Sequence, residues 1–350
     1  MPLILRLAGL IVLAASLSGC AFGSVDLSGL TTGSTDSYAE NDRSPSRLPG
    51  RVYILRGMGH IWSGGMTELA DKLNRRGVLA SSHKHTEWRE LADEAIKLHK
   101  SDPDRWPVIL IGHSNGGDNF IQMAEKLNEA GVPVALAVGF DPTRFARPVP
   151  PNVRRFINLY QATNIMGGGE IHASAKFRGQ LINIDLRKHP EIGHMNMDKS
   201  RRLQEEVLAK VLQVAAFPMP APASMVSIKY VVPAKATIEL WDGGMPVKLE
   251  RGQTIESLAT FYGVPAWAIL QANDIPEFDA PPLKPGRRLV IPQHLNTLAS
   301  TTASAVPPAL APAPASEPRA DEPPLAEPRR GERRFGEPMI GQPRLGAIGQ

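Results

Sequence analysis

The 350-residue chain holds a single cysteine, Cys20. That excludes an internal disulfide framework and any zinc site built from several cysteines. Charge of either sign is not in excess: 39 Lys and Arg against 35 Asp and Glu leave a formal +4. Basic residues come as scattered pairs rather than blocks, so nucleic-acid binding is not expected. Long apolar runs are also missing. The N-terminal run Leu7 to Leu17 has eleven residues, short of the roughly 20 needed to span a bilayer as a helix. What is present is 42% hydrophobic and 21% charged residues, enough to build a core. Ten of the 32 prolines fall in the last fifty residues, so the apolar content is concentrated upstream. At about 150 residues per domain the length suggests two domains with tails.

The single cysteine sits where it carries information. Arg6, the apolar run and the small residues Ser18 and Gly19 before Cys20 have the layout of an export signal. Leu17-Ser18-Gly19-Cys20 resembles the lipobox of bacterial lipoproteins. The resemblance implies cleavage after residue 19, acylation of the Cys20 sulfur and anchoring by several acyl chains, since a single chain holds only marginally. Ala21 stands where an aspartate would retain such a protein at the inner membrane. The expected location is therefore the periplasmic face of the outer membrane.

Residues 20–50 are rich in Gly, Ser, Thr and Asp and read as a flexible tether. From Arg51 short β-rich runs alternate with helical patterns: Val52–Leu55, Val78–Ala80, Pro107–Ile111, Val134–Val138, Phe156–Tyr160 and Leu181–Leu186. Near-continuous apolar strands alternating with amphipathic helices predict an α/β domain over 51–215, a parallel sheet with helices on both faces. Its last helix is expected over Lys199–Val214. A linker at 216–228 leads to a second, smaller domain at 229–293 with its own preceding strand. Residues 297–350, dominated by Pro, Ala, Glu and Arg, read as a disordered tail.

Within the first domain, Gly112-His113-Ser114-Asn115-Gly116 forms the pattern G-x-S-x-G between an expected strand and an expected helix. A serine on so sharp a turn takes strained backbone angles, and side chains two residues to either side would collide, which glycines avoid. The helix N-terminus that follows aims backbone donors at a developing oxyanion. With these landmarks residues 51–215 resemble the α/β-hydrolase superfamily, which implies a downstream acid and then a histidine. Asp141, after the strand that follows the nucleophile helix, is the favoured acid, with Asp185 its competitor. His194, just before the final helix, is the favoured base, with His189 in reserve; imidazole can take and return a proton near neutral pH. His113 flanks the serine, and its side chain is expected to point away from it. The resemblance places the oxyanion donors at the N–H groups of Asn115 and Met58, with Gly59 a neighbour. Arg56 replaces the histidine usual in that loop, while Gly57 is kept. Read as a phosphate cradle, the loop lacks a third glycine at the required spacing and any Gly-Lys-Ser/Thr. No cofactor and no metal are expected. The segment Thr163–Gly179, with Gly167-Gly168-Gly169, is the expected mobile rim of a site without a lid.

The second domain reads strand, helix, helix, strand, with Gly263 where a left-handed helix cap belongs. Gly252-Gln253-Thr254, Tyr262-Gly263-Val264, Gln271-Ala272-Asn273 and the ending Pro285-Gly286 … Leu289-Val290-Ile291-Pro292 together resemble a LysM domain. That implies binding of peptidoglycan or another N-acetylglucosamine glycan, through Gly252, Gln253, Thr254 and Ile255 facing Asp274 and Ile275. Gln253 replaces the usual aspartate, and the second loop, Pro276–Pro282, is extended. Trp267, on a helix, is expected to pack in the core rather than stack on sugar.

Taken together, the sequence predicts a serine hydrolase acting on acyl esters, anchored by lipid at Cys20 and held to peptidoglycan by LysM. The alternatives are a peptidoglycan O-acetyl esterase and a non-catalytic wall-binding lipoprotein.

Overall fold

The computed structural model describes residues 48–58, 63–103, 107–216, 225–277 and 283–294. The signal sequence, Cys20, most of the tether and the C-terminal tail lie outside the described residues. Seven strands form one parallel sheet: β1 (Arg51–Arg56), β2 (Leu79–Lys84), β3 (Val108–His113), β4 (Val134–Phe140), β5 (Arg155–Tyr160), β6 (Gln180–Asp185) and β7 (Val226–Val231). Their order across the sheet is β2-β1-β3-β4-β5-β6-β7, every pair parallel.

Both faces of this sheet are covered, which is why its central strands read as continuous apolar runs. Helices α1 (Gly64–Arg75) and α4 (Arg201–Ala216) bury Met66, Leu69, Leu203 and Val207 against Val52, Ile54, Ile109 and Ile111. On the other face α2 (Trp88–Ser101) and α3 (Asn115–Glu129) pack Leu91, Phe120 and Leu127 against Tyr53, Leu55 and Leu110. The strand residues alternate between the two sets with the period of two that a pleated strand imposes. The result is α/β-hydrolase-like.

One element lies elsewhere than the sequence grouping placed it. The strand expected to introduce the C-terminal domain is β7, the edge of the large sheet, paired with β6 from Gln180↔Val226 to Asp185↔Val231. Its burial alternates, with Val226, Ile228 and Tyr230 buried and Ser227 and Lys229 exposed. That half-buried pattern does not resemble the fully apolar central strands, so it reads from sequence as the start of a new unit.

The small domain is a βααβ unit: β8 (Gly243–Lys248), α5 (Ile255–Tyr262), α6 (Ala266–Ala272) and β9 (Arg288–Gln293), with β8 and β9 antiparallel. Thr254 and Ser257 exchange side-chain-to-backbone bonds in a capping box at the start of α5, and Gly263 closes it at φ 65°. This unit is docked on the large sheet. Gln271 accepts from Val231 N–H at 2.7 Å and donates to its carbonyl at 3.2 Å, so its amide covers the open edge of β7. Trp267 packs at a steep angle against Tyr230 and Trp241, at centroid distances of 5.8 and 5.6 Å, the packing role expected of it. The buried pair Lys210–Asp242, at 2.8 Å, ties α4 to the segment before β8.

Candidate active site

The turn between β3 and α3 carries the serine. Ser114 sits at φ 55°, ψ −127°, outside the regions open to most L-residues. The flanking glycines make the turn feasible: a Cβ on Gly112 would lie 2.5 Å from the Gly116 carbonyl carbon, and one on Gly116 would lie 2.0 Å from Leu55 O. Strand register does the rest of the assembly. His113, Phe140, Leu159, Ile184 and Tyr230 are aligned across β3 to β7, so the residues just beyond them emerge along one edge.

Three distant side chains meet there. His194 Nε2 lies 3.0 Å from Ser114 Oγ, and its Nδ1 lies 2.8 Å from Asp141 Oδ2. The tautomer that satisfies both contacts carries its proton on Nδ1, donates it to Asp141 and accepts the Ser114 hydroxyl at Nε2. Asp141 is fully buried and itself at φ 47°; Asn164 Nδ2 also donates to its Oδ2 at 3.2 Å. The competing acid Asp185 is engaged elsewhere, by the Arg187 guanidinium and the backbone N–H groups of Arg187 and Ala162. His189, the reserve base, faces Glu191 and the Pro233 carbonyl.

The supporting contacts were not legible in any motif. His113 Nε2 donates to His194 O at 2.8 Å, its Nδ1 accepts from Ser63 Oγ at 3.0 Å, and Ser63 Oγ accepts from Gly57 N–H at 3.1 Å. The ring thus links the histidine loop to the one after β1. Burial holds the His113 pKa down at about 4, so it is neutral near pH 7. Asp118, whose pKa burial raises, accepts from Thr143 N–H at 2.8 Å and Oγ1 at 2.6 Å and fixes the loop that follows Asp141. Asp198, pushed by burial to about 6, accepts from Gly65 N–H at 3.1 Å and docks the histidine loop on the start of α1.

Of the expected oxyanion donors, Asn115 opens α3, where the first N–H groups of a helix have no intrahelical partner. Met58 follows Gly57, whose Cα packs so closely that a Cβ there would lie 3.0 Å from Ser114 Cβ. Gly59 lies outside the described residues. At the expected rim, Gly168 N–H donates to Pro142 O at 2.7 Å, and a Cβ on Gly167 would lie 2.2 Å from Asp141 Oδ1. Large apolar side chains stand exposed on the loops after β1, β4, β5 and β6: Met58, Phe145, Ile165, Met166 and Met195. Among the described residues no group of three or more His, Cys, Asp or Glu is placed to hold a metal.

On the small domain Gly252, Thr254 and Asp274 are exposed and Gln253 is half-buried, its Oε1 accepting from Glu250 N–H. The side chains of Ile255 and Ile275 are buried.

Fold and site together describe an α/β-hydrolase-like scaffold joined to a peptidoglycan-binding LysM domain. The family model of the LysM domain matches residues 247–292, which associates the chain with a cell wall or envelope. No curated protein matches the sequence. Among solved structures, the chain is similar to a protein assigned to the alpha/beta superfamily of hydrolases from Xanthomonas campestris pv. campestris. That match has 16% identity and a TM-score of 0.28, covering 47% of this chain and 98% of the other.

Proposed function

We propose that this chain is a serine acyl hydrolase of the cell envelope, with Ser114 as nucleophile, His194 as general base and acid, and Asp141 as the carboxylate that orients the ring. The observation that carries the reading is the continuous path Ser114 Oγ–His194–Asp141 at 3.0 and 2.8 Å, on a strained turn that presents the hydroxyl. His194 Nε2 takes the hydroxyl proton as Oγ attacks the ester carbonyl carbon. Asp141 stabilises the resulting imidazolium without taking its proton. The N–H groups of Asn115 and Met58 receive the oxyanion. Collapse of the tetrahedral species expels the alcohol, protonated by His194, and leaves an acyl-Ser114. Water activated by His194 then releases the acid. The exposed apolar residues on the surrounding loops suit an ester whose acyl group is apolar.

The anchor belongs to the same proposal. Cys20 carries lipid and holds the protein to the periplasmic face of the outer membrane, while LysM retains it on peptidoglycan.

The test is labelling with a fluorophosphonate probe. The chain should react in the folded state, and Ser114→Ala should abolish the reaction while leaving the unfolding transition in place. Folded wild-type protein that takes no label would overturn the enzymatic reading in favour of a wall-binding scaffold.

A further inference from the structure

A concave surface lies along the same edge of the sheet as Ser114. It is a cleft of about 470 Å³ formed where the ends of β5, β6 and β7 meet the LysM unit. Tyr160, Arg187 and Lys229 line it from the hydrolase side, and Gln271, Asp274 and Ile275 from the LysM side. Asp274 and Ile275 belong to the loop that the LysM resemblance assigns to sugar binding. The cleft therefore continues that loop onto the large domain, where neither the LysM match nor the catalytic geometry assigns any binding role.

Its chemistry has the two parts that a sugar ring needs. Buried Tyr230 and Ile275 and half-buried Val231 give it an apolar floor. Around that floor stand fixed donors and acceptors: the Arg187 guanidinium, set by the buried Asp185, and the Lys229 ammonium, 3.5 Å from the Glu170 carboxylate. Cations and carboxylates are balanced there, which favours a neutral, hydroxyl-rich ligand over an ion. The register gives a direction as well. Asp185 pairs with both Tyr160 and Val231, one residue past the row that leads through Phe140 to His113. With strands about 4.8 Å apart, the two to four spacings from β3 to the β5–β7 ends put the cleft roughly 10 to 19 Å from Ser114 along one edge.

We infer that this cleft is a glycan subsite that extends the LysM site, holding further units of one N-acetylhexosamine chain and leading that chain toward Ser114. Resting on the hydrolase reading, it makes the substrate an ester carried on, or attached to, the bound glycan, so LysM acts as part of the substrate site as well as a tether.

The test compares N-acetylglucosamine oligomers by calorimetry on the chain lacking only its expected signal sequence. The hexamer should bind roughly tenfold more tightly than the trimer, the effect of one or two added hydrogen bonds. Glu170→Ala/Lys229→Ala removes a half-exposed pair that contributes little to folding. It should return hexamer affinity to that of the trimer and leave trimer affinity unchanged. In parallel, the double variant should lose turnover of acetylated peptidoglycan while hydrolysing p-nitrophenyl acetate at the wild-type rate. Equal affinity for the two oligomers, or a hexamer affinity untouched by the double substitution, would overturn the subsite. A protein that passes the binding test but hydrolyses no ester would instead refute the hydrolase reading and leave the subsite standing.

Discussion

His113 offers a quantitative handle on how the site is held. Its ring is 2% exposed, and both nitrogens are bonded, to His194 O and to Ser63 Oγ. Burial lowers its pKa from 6.5 to about 4. Below pH 6.5 the unfolded chain therefore binds a proton at this residue that the folded chain does not, until about pH 4. Linkage makes the folded state lose stability as the pH falls through that window, at about 1.36 kcal/mol per pH unit, or about 3 kcal/mol in all. His113→Gln removes the titration while its Nε2–H can still reach His194 O. At pH 7 the variant should be less stable by about 1 kcal/mol, for the lost Ser63 contact. Urea unfolding followed by tryptophan fluorescence, for wild type and variant at pH 7 and pH 4, isolates this residue because the carboxylates common to both proteins cancel. Wild type should lose about 3 kcal/mol more than the variant between the two pH values. An identical pH dependence in the two proteins would refute the buried, neutral His113 and with it the link between the histidine loop and the loop after β1.

Two further outcomes follow from close contacts. Gly167→Ala places a Cβ 2.2 Å from Asp141 Oδ1. The buried carboxylate must shift, and steady-state turnover of a small ester should fall by about 100-fold, as for a displacement of about 1 Å, with the fold intact by circular dichroism. Gln271→Ala strips the edge of β7 of both amide bonds, so the chain should lose about 2 kcal/mol and melt roughly 5 °C lower by calorimetry. An unchanged melting temperature would mean that the LysM unit does not brace the sheet.

What the sequence determined by itself is what depends on neighbours along the chain. The apolar runs around Val52 and Ile109 specify strands buried on both faces, because no other placement hides them from water. Gly112 and Gly116 specify a turn too crowded for side chains. Gly252-Gln253-Thr254, with the Gln271-Ala272-Asn273 segment and the Pro-Gly ending, specifies the βααβ unit through a capping box and a left-handed cap. Tertiary structure alone decided what depends on register and on contacts across long separations. Asp141 was already the acid favoured from sequence, but its contact with His194 spans 53 residues, and the engagement of Asp185 by Arg187 is visible only in the packed molecule. The roles of His113 and Asp198 rest on bonds spanning 81 and 133 residues, which no local spacing encodes. The same is true of β7. Its alternating pattern states that one face is buried, but only the packed molecule shows that the cover is LysM and that the loop of Asp274 and Ile275 lies on the edge that carries the serine.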